Sequence, residues 1–206
     1  MHAHRKGRAR RSPTTHQDRR TVLSGFLFGC GIAASVIDLF IFHLALHWHH
    51  FYDLSTTSVA LVSDGFFHAF GWFITVWGLF LLADARRRGS ISWTRWAGAV
   101  TVGVGFFQLF DGIVNHKLLR IHQIRYEVDL LPYDTVWIGS ALILLVIGAA
   151  ILWRSSRRRD VRATAGSDRQ PGATETTGAA ETTGAAETTG AAETPGTTGT
   201  PGTTGN

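Results

Sequence analysis

The chain has 206 residues, 45% hydrophobic and 17% charged, with a formal net charge of +5. Its one cysteine, Cys30, excludes an intrachain disulfide, and its one methionine, Met1, excludes a methionine-rich copper carrier. Basic excess would suit a nucleic-acid binder, but the Lys and Arg residues form short clusters beside long apolar stretches, the arrangement that sets membrane topology, so no nucleic-acid partner is expected.

A mean hydropathy of only +0.08 averages unlike parts. Residues 1–20 and 154–206 are almost wholly polar, whereas 21–153 hold four long apolar segments. The expected organisation is a basic cytoplasmic tail (1–20), a four-span membrane domain (21–153) and a disordered Thr/Gly/Ala/Glu-rich tail (154–206).

The first apolar segment covers about 22–47 and is broken only by Asp38, His43 and His47. A helix needs ~20 apolar residues to cross the hydrocarbon core. The run continues well past Cys30, whereas a signal-peptide core is only ~7–15 residues long, so cleavage there is not expected. Gly25, Gly29 and Gly31 are small residues of the kind that let helices approach closely. The second segment, about 58–83, carries Asp64 and His68 and ends at Arg86-Arg87-Arg88; Trp93 and Trp96 beside Arg95 suit an interfacial belt. The third, about 97–119, has Gln108, Asp111, Asn115 and His116 in its second half, and the fourth, about 135–153, has no charge. Beyond Arg162 the unit Glu-Thr-Thr-Gly-Ala-Ala recurs from Glu175, with no large apolar residue to offset the entropy of folding.

Residues 1–20, 84–96 and 154–162 carry sixteen Lys and Arg, against Lys117, Arg120 and Arg125 in the 117–134 connection and none in 48–57. That bias predicts both termini and the middle loop in the cytoplasm, and the histidine-bearing loops outside.

One polar pattern occurs twice. Asp38, His43 and His49 recur downstream, at identical spacings, as Asp111, His116 and His122. Ionisable groups inside apolar helices are costly and usually functional. The recurrence predicts an all-α, four-helix transmembrane bundle made of two tandem (duplicated) hairpins, related by an axis along the membrane normal. Asp134 opens the fourth span much as Asp64 opens the second, but nothing in the fourth span corresponds to His68.

With a rise of about 1.5 Å per residue, Asp38, His68 and Asp111 reach mid-membrane depth, with His43, Asp64 and His116 nearer the outer face. On an α-helix, about 100° per residue, Asp38 and His43 stand about 140° apart, so one helix is not expected to aim both at one point. The candidate metal ligands are therefore Asp38, His43, Asp64, His68, Asp111 and His116, with His49, His122 and Asp134 as secondary candidates at the membrane edge.

Neutral imidazole suits Fe, Cu, Zn and Ni, and a carboxylate can bind metal or orient a histidine. Two histidines on facing helices, His43 and His116 by symmetry, could instead hold a haem. A cofactor-free alternative is a proton- or ion-coupled transporter that uses the same groups as a relay. A third is a structural or assembly factor of a membrane complex, with these pairs holding helices together.

Phe110-Asp111-Gly112-Ile113-Val114-Asn115-His116-Lys117, His122-Gln123-Ile124-Arg125-Tyr126 and Ser63-Asp64-Gly65-Phe66-Phe67-His68 together resemble one uncharacterised bacterial family of four-helix integral membrane proteins, a domain-of-unknown-function family. The resemblance covers about 22–153 and neither tail. It implies a multi-pass location in the bacterial cell membrane, the lipid bilayer as partner, and this Asp/His pattern. It brings no activity with it. Leu39 stands in the first half where Gly112 stands in the second.

Overall fold

The computed structural model describes residues 13–167, with side chains over 16–161. The start of the basic N-terminal segment and the Glu-Thr-Thr-Gly-Ala-Ala repeats lie outside the described residues. Among those described there are helices and no strands.

Helix α1 (Pro13–Ile32) runs without a break into a π-helical segment, Ala33–Ala45. Helix α2 covers Thr57–Arg88, and α3 (Trp93–Phe110) runs into a second π-helical segment, Asp111–Leu119. Helix α4 covers Leu130–Ser167 and follows the second π-helical segment as α2 follows the first. Four spans, His16–Ala45, Thr57–Arg88, Trp93–Leu119 and Leu130–Val161, are long and apolar enough to cross a membrane. Helix α4 outruns the apolar stretch ending at Trp153 into a segment where Arg154, Arg157, Arg158 and Arg159 are good helix formers. Thr56 and Ser92 cap α2 and α3 by accepting from the backbone N–H of Val59 and Arg95.

The helices are ordered α2–α1–α3–α4, with α1 and α3 packed together at the centre and each outer helix packed on its hairpin partner. Glycines permit the central contact. A Cβ on Gly29 would overlap the Val100 carbonyl oxygen, and one on Gly103 would overlap that of Phe26. Close approach of this kind lets dispersion and backbone contacts hold helices together where lipid supplies no hydrophobic drive.

The distribution of side chains is inverted relative to a water-soluble protein. Thr21, Ser24, Ser35 and Thr75 are buried, while Phe66, Phe73 and Phe80 are more than 70% exposed. A hydrocarbon solvent accommodates that surface without cost, so the exposed face of the fold suits contact with a lipid bilayer. At the arginine-rich end Arg20 pairs with Asp84, and Asp18 pairs with Arg95 and Arg159, tying α1 to each of the other helices. The opposite end carries the two loops 46–56 and 120–129 and the polar cluster.

Candidate metal centre

The two π-helical segments decide the site. A π-helix bonds i to i+5, so residues five apart come into register. Asp38 and His43 are five apart, as are Asp111 and His116. The expectation from α-helical geometry, that one helix could not aim Asp38 and His43 at one point, is therefore corrected. His43 Nε2 lies 3.3 Å from Asp38 Oδ2, and His116 Nε2 lies 3.1 Å from Asp111 Oδ2. A π-helix keeps its backbone N–H groups paired, which makes it tolerable inside a membrane.

Each π segment ends in a sharp reversal. Trp48 N–H donates to Phe42 O and Ile121 N–H to Asn115 O, equivalent bonds in the two halves. His47 (φ 49°) and Arg120 (φ 53°) adopt the left-handed conformation at equivalent positions, although neither is glycine. The reversal folds each loop back over the bundle, so the residue two further on points inward. These residues are His49 and His122, 5% and 3% exposed. Sequence depth placed them at the membrane edge as secondary candidates; the returning loops bury them beside Asp38 and Asp111.

The loops also exchange bonds. His49 Nδ1–H donates to Ile124 O (2.9 Å), and His122 Nδ1–H donates to Phe51 O (2.8 Å). Each bond is the image of the other in the opposite half. The His49 and His122 rings stack with centroids 4.7 Å apart, where the two halves meet.

Three buried groups of potential ligands result: Asp38, His43 and His49; Asp111, His116 and His122; and His43, Asp64 and His68. Within each group the ligand atoms lie within 4.8 Å of one another. Protonation can be assigned from hydrogen bonds, since a carbonyl oxygen only accepts. His49, His122 and His68 donate through Nδ1, the last to Ala34 O at 2.7 Å, so in its neutral form each ring presents a bare Nε2. His43 Nδ1–H then serves His68 Nε2 (3.3 Å) and Asp64 Oδ1 (3.1 Å), and in its neutral form that ring too is bare at Nε2. In the loop, burial first and the neighbouring His122 second lower the pKa of His49 to about 4 and keep that ring neutral.

These bare nitrogens face carboxylate oxygens. His49 Nε2 stands 4.0 Å from Asp38 Oδ1, and His122 Nε2 stands 3.5 Å from Asp111 Oδ1. Asp38 Oδ1, His43 Nε2 and His49 Nε2, one atom from each residue of the first group, are buried with no hydrogen-bond partner; so are Asp111 Oδ2 and both His116 nitrogens in the second. Lone pairs converging in a dry interior need a cation between them, either a proton or a metal ion. Among the described residues, the ion pairs of Asp38, Asp64 and Asp111 are all with histidines, none with Lys or Arg. The donor set, two imidazoles and one carboxylate, with the Nδ1–H of His43, His49 and His122 held by carboxylate or carbonyl, fits a first-row transition metal.

The halves differ in what surrounds these groups. Asp64 Oδ2 accepts from the half-buried His50 Nδ1–H (2.6 Å) and Asp64 Oδ1 from Phe51 N–H (2.6 Å). His50, on one helical stripe with His43 and His47 when the sequence is read as an α-helix, has Gln123 as its counterpart. In the second half Asn115 donates to Asp111 Oδ1 (2.8 Å), and Trp137 occupies the position equivalent to Asp64. Trp137 fits there because residue 112 is glycine: a Cβ on Gly112 would lie 2.6 Å from its ring. Asp134, a secondary candidate, joins none of the groups and pairs with Lys117. A haem between His43 and His116 has no slot, because the His49 and His122 rings fill the intervening space, at 4.8 Å from His43 and 4.7 Å from His116 respectively.

Residues 24–156 match the model of a family described as "Predicted membrane protein (DUF2243)". No curated protein and no solved structure matches the chain.

Proposed function

Starting from a chain that belongs to the DUF2243 family of membrane proteins, we propose that it binds transition-metal ions at two buried centres, Asp38/His43/His49 and Asp111/His116/His122, for metal handling or redox chemistry. The observation that carries this reading is the set of bare, unpartnered ring nitrogens turned toward unpartnered carboxylate oxygens. Asp64 and His68 act behind the first centre, holding the His43 ring by its Nδ1–H as outer ligands of metal sites do. Iron or zinc suits this oxygen-and-nitrogen set better than Cu(I), which favours sulfur; Cys30 is engaged elsewhere, with Gly103 O. A bound ion would supply Lewis acidity or an electron-transfer centre, with coordination positions left open by three protein ligands.

The Lys/Arg distribution supports a multi-pass protein of the bacterial cell membrane with both termini cytoplasmic, which opens the cluster toward the outside. The reciprocal His49–Ile124 and His122–Phe51 bonds support reading the halves as copies of one hairpin.

Elemental analysis of the untagged protein, purified in mild detergent, tests the reading. About two equivalents of Fe, Zn or Cu are expected, falling to about one in His49→Ala or His122→Ala. Folded, metal-free protein that takes up no metal on reconstitution overturns it.

One observation favours a second reading. His43 Nδ1, Asp64 and the half-exposed His50 are linked in series, and the other His43 nitrogen lies 3.3 Å from the buried Asp38, the layout of a proton relay. In that case reconstituted vesicles show pH-dependent ion flux that fails in Asp64→Asn, with no metal bound.

A further inference from the structure

A crevice of about 220 Å³ lies between the first π-helical segment, α3 and α4. Ile37 and Ile41 belong to its lining and are 40% and 44% exposed on the apolar outer surface of the bundle, which sets its mouth there. Phe42, Phe107 and Trp137 form its aromatic walls, with Val104 between them. The one ionisable side chain in the lining is Asp38, a ligand of the first proposed centre. The polar wall opposite is already committed: the Gln108 amide donates to Trp137 O and Ser140 Oγ, and Trp137 Nε1–H donates to Gln108 O. Asp38 Oδ1 is buried without a hydrogen-bond partner. A second apolar crevice, of about 320 Å³ between α1, α2 and α3, contains neither Asp38 nor Asp111 in its lining.

We propose that the Asp38 crevice binds a small neutral molecule of phenol type, one aromatic ring with one hydroxyl donor, which enters from the bilayer. Four features select this class. The mouth opens onto hydrocarbon, from which ions are excluded. The volume exceeds the roughly 150 Å³ known to admit a benzene-sized guest. The aromatic walls offer edge and face contacts to a ring. The one ionisable group in the lining is a carboxylate, an acceptor, so the guest must bring a donor, and a carboxylate has about four lone-pair sites, enough to hold a metal ion and accept a hydroxyl together. The inference deepens the metal reading by giving the first centre a ligand class, and it rests on that reading only in setting the guest beside a metal ion.

The test is a titration of 4-fluorophenol into the protein in lipid nanodiscs, followed by fluorine NMR, metal-free and loaded with Co(II) or Zn(II). Saturable binding beyond partition into protein-free nanodiscs is expected, at least tenfold weaker in Val104→Trp, which fills the crevice. Ile37→Trp narrows the mouth from the lipid face without repacking the interior, and is expected to weaken binding likewise. Co(II) but not Zn(II) broadens the bound signal if guest and metal are neighbours. No saturable binding, or binding unchanged in both variants, overturns the inference. Binding that is lost in the variants in a protein that takes up no Co(II) upholds the crevice and overturns the metal reading alone.

Discussion

Asp111→Asn separates a metal centre from a set of helix-locking hydrogen bonds by the sign of its effect. Asp111 is 3% exposed, and its partners are Asn115 at 2.8 Å, His116 at 3.1 Å and His122 at 3.5 Å. An asparagine keeps one oxygen to accept from Asn115 and turns its amide toward the unpartnered His116 Nε2, adding a neutral hydrogen bond. It also removes a buried charge. In metal-free protein the variant is therefore expected to be more stable than wild type by about 1 kcal/mol, the net value of one such bond. With metal the order reverses, because the wild type gains about 2.7 kcal/mol from an ion present at a hundred times its Kd, and the variant forfeits that gain at one of two centres. Unfolding in mixed micelles of dodecyl maltoside and SDS, with EDTA and then with saturating Zn(II), gives both differences. If instead His116 is an imidazolium paired to Asp111, removing the charge costs about 3–5 kcal/mol with or without metal. Equal differences under the two conditions would refute the metal argument.

Gly112→Ala should destabilise the protein by about 1–3 kcal/mol through contact with Trp137, and Trp137→Ala in the same background should recover part of that loss in the same unfolding assay. Arg120→Gly relieves a left-handed backbone at an exposed position and is expected to raise stability by up to about 1 kcal/mol, while Arg120→Val lowers it. The folded-state pKa of His49, held near 4 against 6.5, means the unfolded chain binds the extra proton first. Its contribution to metal-free stability is thus complete above about pH 6.5 and is lost as pH falls toward 4; the wild type should show that decline more steeply than His49→Gln in a pH series of unfolding curves.

What the sequence determined by itself was the membrane solvent, the number of spans and the residues of the candidate site. Apolar runs of spanning length, interrupted by a few acids and histidines, admit only helices that satisfy their own backbone, and the recurring Asp38, His43 and His49 spacing marked residues that the structure gathers into two of the candidate groups. Tertiary structure decided their geometry. A five-residue spacing reads as two separate faces on an α-helix, and becomes one face only because both segments wind as π-helices, a choice that local propensity does not announce. His49 and His122 lie beyond the ends of their spans, and depth along a straight helix sets them at the surface. They enter the core because left-handed residues at 47 and 120 turn each loop back and because each ring finds its carbonyl partner on the opposite loop. Asp134 had the right residue type and nearly the right spacing, yet Lys117 on the neighbouring segment takes it. Partners so distant in sequence are fixed by packing of α1 against α3, where glycines bring two backbones together, and one chain read in order carries no term for that approach.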